Sequence, residues 1–118
     1  VLAATALLTS VPGFAAATTA QAATTATCWS TNLTNNSDLV TTLKGTYNLK
    51  AGVGSVCPNI RSVSEGSTFY VWCGEFNPDS GKLWFLGRVK GDPVAKAGYM
   101  SLDNLNLGTG TWSFCNPF

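Results

Sequence analysis

A chain of 118 residues with seven Lys or Arg against six Asp or Glu has room for one domain and carries a net charge of only +1. That balance argues against a nucleic-acid binder, because Lys44, Lys50, Arg61, Lys82, Arg88, Lys90 and Lys96 are interleaved with acids and form no basic face for phosphates. The sequence has no His, which excludes Ser-His-Asp and Cys-His catalysis and the ordinary His-containing zinc sites.

In chain order, residues 1–22 are uncharged, rich in Ala, Leu and Val, and end on Ala20-Gln21-Ala22, a small-x-small triplet of the kind signal peptidases cut. Thr9, Ser10, Pro12 and Gly13 interrupt the run well short of the roughly 20 apolar residues a membrane span needs. We therefore expect a signal peptide over 1–22, a secreted protein, and no membrane attachment once the signal is removed. Residues 23–46 are rich in Thr, Asn and Ser, show no strand period before Leu39-Val40, and read as an extended arm fastened at Cys28 and Trp29.

Between 47 and 105 short alternating runs are cut by turn residues, the pattern of a small all-β domain. Strands are expected at Tyr47 to Lys50, Ile60 to Val63, Ser67 to Cys73, Leu83 to Lys90 and Ala97 to Met100. Turns are expected at Ser64-Glu65-Gly66, Asn77 to Gly81 and Gly91-Asp92-Pro93. Period-two alternation sends Phe69, Val71 and Cys73 to one face of the third strand and Thr68, Tyr70 and Trp72 to the other. The segment 106–118 lacks a period but carries Trp112, Phe114, Cys115 and Phe118, which predicts a tail docked on the body.

Residues 47–105, about half the chain, resemble the bacterial SH3-like domain, SH3b, common in exported cell-wall proteins. Tyr47-Asn48-Leu49-Lys50-Ala51-Gly52-Val53 follows the outline of the family's L-N-V-R-S-G-P strand, with Val53 where the pattern favours Pro. Ile60-Arg61-Ser62-Val63 and Glu65-Gly66-Ser67-Thr68-Phe69-Tyr70-Val71 correspond to the apolar strand and the K-G-T-x-V-x-V unit. Trp84-Phe85-Leu86-Gly87-Arg88-Val89 answers the W-Y-x-V/G-x-V strand, and Gly98-Tyr99-Met100-Ser101 through Leu105 the terminal G-W-V-x-x-x-x-L, with Tyr99 in place of Trp. The resemblance implies a five-stranded, partly open SH3-like barrel with Leu49, Val63, Phe69, Val71, Met100 and Leu105 in its core. It also implies a non-catalytic module that binds a cell-wall peptide or glycan.

The four cysteines, an even number in a short exported chain, predict two disulfides and an oxidising compartment. Their spacings of 29, 16 and 42 do not suit zinc, so no metal and no cofactor is expected. If the strands before and after Glu65 form one hairpin, Cys57 and Cys73, each eight residues from it, face each other and pair, which leaves Cys28 with Cys115. Spacing alone leaves the other two connectivities open. Asp38, Glu65, Glu75, Asp79, Asp92 and Asp103 all fall in the arm, in turns or at strand ends, so a carboxylate pair for hydrolysis is not expected either. The better functional signal is aromatic. Tyr70, Trp72, Trp84 and Tyr99 are the ligand-binding candidates, as an exposed strip for a peptide or glycan. The competing reading has the arm and tail covering these rings as a second small core. An adapter subunit that joins an exported partner through its arm, sheet edge or aromatic tail is the alternative function.

Overall fold

The computed structural model describes residues 27–31 and 33–115; the expected signal peptide, Asn32 and the last three residues of the tail lie outside them. Among the described residues seven strands are present: β1 (Val40–Leu43), β2 (Tyr47–Lys50), β3 (Asn59–Val63), β4 (Thr68–Phe76), β5 (Leu83–Val89), β6 (Gly98–Ser101) and β7 (Leu105–Leu107). Single 3-10 turns at Val94–Lys96 and Leu102–Asn104 flank β6. Among the described residues no helix is long and apolar enough to cross a membrane.

All five expected strands form, because each is an alternating or β-branched run bounded by residues that turn the chain. The β4–β5 hairpin shows how. Asn77 accepts from the Asp79 backbone N–H through its side chain at 2.8 Å, and its own backbone bonds Gly81 and Lys82 at 2.8 Å each. Gly81, at φ 74°, supplies the left-handed residue that this turn requires.

The strands make one antiparallel sheet in the order β3-β2-β6-β5-β4-β1-β7. The sheet therefore has seven strands where five were expected, and it is not closed, with β3 and β7 as its edges. β1 draws Val40–Leu43 out of the expected arm and into the sheet beside β4, and β7 extends the sheet beyond β1. Laid flat, six strand spacings would hold the edges roughly 29 Å apart. Yet Val63 of β3 and Leu105 of β7 belong to one buried cluster with Leu39, Leu43, Leu49, Phe69, Val71, Phe85, Val89 and Met100. The sheet must curl so that its inner face encloses this core. All six core residues expected from the sequence lie in it.

Two expectations fail together. β3 pairs with β2 (Tyr47↔Val63, Asn48↔Ser62), whereas β4 pairs with β1 and β5, so the hairpin about Glu65 does not exist. The turn instead docks on β1, with the Gly66 N–H donating to the Leu43 carbonyl at 3.0 Å. Cys57 and Cys73 consequently do not face each other. The disulfides are Cys28–Cys57, with Cα atoms 5.0 Å apart, and Cys73–Cys115, at 4.7 Å, which corrects the expected Cys57–Cys73 and Cys28–Cys115 pairing.

The alternation assumed for β4 is also broken. A bulge between Val71 and Cys73 lets Val71 oppose Gly87 and Cys73 oppose Leu86, so one residue of β4 has no counterpart. Phe69 and Val71 stay in the inner core, while Trp72 and Cys73 both join the cluster on the outer face. Gly74 then returns to the inner side, where Trp112 packs over it; a Cβ there would stand 2.6 Å from the indole.

Candidate functional site

The outer face of the sheet carries the aromatic residues singled out in the sequence. Trp72, Trp84 and Tyr99 form a cluster with Val53, Cys73, Leu86 and Cys115, and none of the three rings is more than 9% exposed. The arm and the tail cover them, so the second small core is what forms. On the arm side, Trp29 bridges to Val53, whose N–H donates to the Trp29 carbonyl at 2.7 Å. The Cys28–Cys57 bond lies against Gly52, where a Cβ would come within 2.7 Å of the Cys28 sulfur. The Thr31 N–H donates to the Tyr99 hydroxyl at 2.9 Å, and Thr31 Oγ1 lies 3.1 Å from the same oxygen. On the tail side, Cys115 is held to Cys73 and its N–H donates to the Gly74 carbonyl at 2.9 Å.

Glu75, opposite Trp84 in the β4–β5 ladder, sits at the border of this cluster. Burial pushes its carboxyl above the ordinary value, and a hydrogen bond with the Thr31 side chain acts in the opposite direction. Among the described residues no group of three or more His, Cys, Asp or Glu is gathered to hold a metal ion.

Tyr70 is different. It lies before the bulge, is half-buried, and lines an open cavity of about 360 Å³ between β4 and the arm. Trp72 lines the same cavity, as do Arg88 of β5 and Asn35, Ser37 and Asp38 of the arm. The Arg88 guanidinium stands 5.5 Å from the centroid of the Tyr70 ring and donates through Nη1 to the Asp92 carbonyl at 2.7 Å. The arm wall is itself held by the tail. The Asp38 N–H donates to the Thr111 carbonyl (3.1 Å), Thr111 N–H to Asp38 Oδ1 (2.8 Å), Ser113 N–H to Ser37 Oγ (2.8 Å), and Asn36 Nδ2 to the Phe114 carbonyl (2.9 Å).

The structure thus brings Tyr70 and Trp72 to one cavity and leaves Trp84 and Tyr99 under the arm. Sequence reasoning missed Arg88, Asp38 and Asn35. For Arg88 a signal existed, since Tyr70 and Arg88 are equidistant from Asp79 and pair directly in the hairpin. For Asp38 and Asn35 there was none, because their place depends on how the arm lies along β4, where the Asn36 N–H meets the Trp72 carbonyl.

A second surface feature is a run of rings leading out of the core. Phe85 is fully buried and contacts Trp112 at 5.3 Å between centroids; Trp112 contacts Phe114 at 5.0 Å, and Phe114 contacts Phe76 at 5.7 Å. The last two rings are about half exposed. Compared with protein-family models, with curated proteins and with solved structures, the chain matches none.

Proposed function

We propose that this protein is a secreted, non-catalytic binding module, akin to the bacterial SH3-like domain, that recognises a peptide or glycan of the bacterial cell envelope. The observation that carries the reading is the open cavity beside Tyr70 and Trp72, where an aromatic surface is set among amide, hydroxyl and charged groups. Two disulfides fit an oxidising environment outside the cell. Sedimentation with purified cell walls tests the proposal. The chain carries down with the walls at low salt, and Tyr70→Ala releases most of it; a chain that stays in the supernatant with walls from several bacteria overturns the reading.

The adapter reading draws on the exposed Phe76 and Phe114, an apolar pair of the kind that meets a protein partner. Recovery of a partner on purification from culture medium, lost with Phe114→Ser, is its signature.

A further inference from the structure

The charges on the cavity wall narrow the ligand. Among the described residues the ion pairs are Arg61 with Asp92 at 3.1 Å and Lys82 with Asp103 at 3.0 Å, and neither takes in Arg88 or Asp38. Arg88 uses one N–H on the Asp92 carbonyl, which fixes its plane against Tyr70, while a guanidinium has five donors in all. Asp38 receives the Thr111 N–H and, at 3.5 Å, the Thr111 hydroxyl on the same oxygen, Oδ1; Oδ2 has no partner among the described residues. A cation and an anion thus line one cavity of about 360 Å³ without pairing with each other.

Resting on the envelope-binding reading, we infer that this cavity takes a short peptide bearing a free carboxylate and a free ammonium. The carboxylate lies on the Arg88 guanidinium, which offers the planar fork that such a group accepts. The ammonium lies towards Asp38 Oδ2. The stretch between them passes over the Tyr70 ring with the Asn35 amide within its walls. A cavity of this size is at the small end of ligand sites and suits two or three residues of peptide. A neutral glycan would leave both charges desolvated and unpaired, which disfavours it here.

The probe is alanyl-alanine, titrated into the full chain and followed by the amide and ring resonances of Tyr70, Trp72 and Arg88. Its C-terminal amide, its N-acetyl form and an N-acetylglucosamine tetramer are run beside it. The free dipeptide is expected to bind at about millimolar strength, as its few atoms allow. Blocking either end should weaken binding about tenfold or more, the worth of a charge-assisted hydrogen bond. Arg88→Gln should abolish the preference for the free carboxylate, and Asp38→Asn that for the free amine. Asp38→Asn keeps side-chain size and Arg88→Gln leaves a shorter polar side chain at a half-buried position; unchanged resonances of the inner core verify the fold of both.

Equal binding of free and blocked dipeptides, or binding of the tetramer alone at these resonances, overturns the inference. Wall sedimentation of the same variants separates the two readings. Walls that bind Arg88→Gln and Asp38→Asn as well as the parent chain overturn the cavity's role and leave envelope binding standing. Dipeptide binding of the expected kind without wall binding has the opposite meaning.

Discussion

Gly87 opposes Val71 beside the bulge, next to the Tyr70–Arg88 pair, and has no room for a side chain. A Cβ at Gly87 would strike the Tyr70 carbonyl and stand 2.8 Å from the Phe69 ring, both parts of a strand fixed on either side. Gly87→Ala should therefore destabilise the chain by about 2 to 3 kcal/mol, the usual cost of overpacking a core, seen as a lower urea midpoint at unchanged slope. Glu75 presents the opposite case, a residue whose replacement should help. Its folded-state carboxyl is raised above its ordinary value because burial disfavours the charged form, so the folded state binds the proton more tightly than the unfolded one. Stability then falls as pH rises through the ordinary carboxylate range to the raised folded value, and the penalty is fully present above it. Glu75→Gln, which can still accept from Thr31, should be more stable than the parent at neutral pH, with the difference shrinking on acidification. Thermal unfolding at several pH values measures this, and a variant whose advantage grows in acid would contradict the assignment.

Five of the seven strands were legible in the sequence because they are written locally, in runs such as Phe69 to Val71 bounded by Gly and Asn-Pro turns, whereas β1 and β7 were not. Pairing was not, since a turn such as Ser64-Glu65-Gly66 looks the same whether its flanking strands join each other or part to different neighbours. Here β3 goes to β2 and β4 to β1 and β5, with Val63 and Phe69 both in the inner core and the turn hydrogen-bonded to β1 through Gly66. The bulge in β4 was equally hidden, and it turns Cys73 to the outer face, where it meets Cys115. Alternation placed Tyr70 and Trp72 correctly off the core face, but past the bulge it failed for Cys73, which joins Trp72 in the outer cluster. The polar arm and the tail without a period gave the least warning of order, because each supplies the other's hydrogen bonds. Val40 N–H donates to the Thr109 carbonyl at 2.8 Å, Asp38 N–H to Thr111, and Gly74 N–H to Ser113 at 2.9 Å. A chain ending at Leu107, with Cys73→Ala to remove the unpaired thiol, should lose protection from hydrogen exchange at these three amides by about tenfold or more. The Lys90 amide, bonded to Thr68 at the far end of β4, serves as the control. Unchanged protection at Asp38 and Val40 would show that the arm holds its place without the tail.

At the scale of the whole molecule the two disulfides are sequential, one loop ending before the other begins, where the register argument had nested one inside the other. The difference changes what each bond does. Cys28–Cys57 clamps the arm to the loop between β2 and β3, and Cys73–Cys115 clamps the tail to the middle of β4, so each end of the described chain is fastened separately to the sheet. With separations of 29 and 42 residues, the chain-entropy account gives each bond about 4 kcal/mol, and because the loops do not overlap the two contributions should be nearly additive. Topology also dictates how the chain comes apart when cut. Trypsin acting on the denatured, unreduced chain cleaves after Lys44, Lys50, Arg61, Lys82 and Lys96, among other sites. Peptide 51–61, which holds Cys57, should emerge joined to the peptide ending at Lys44, and peptide 62–82, which holds Cys73, joined to 97–118. The cut after Arg61 therefore leaves two unlinked halves on a non-reducing gel, whereas nested bonds would keep the chain together through Cys28 and Cys115. A peptide joining 51–61 to 62–82 would restore the facing cysteines of a β3–β4 hairpin and overturn the strand order described here.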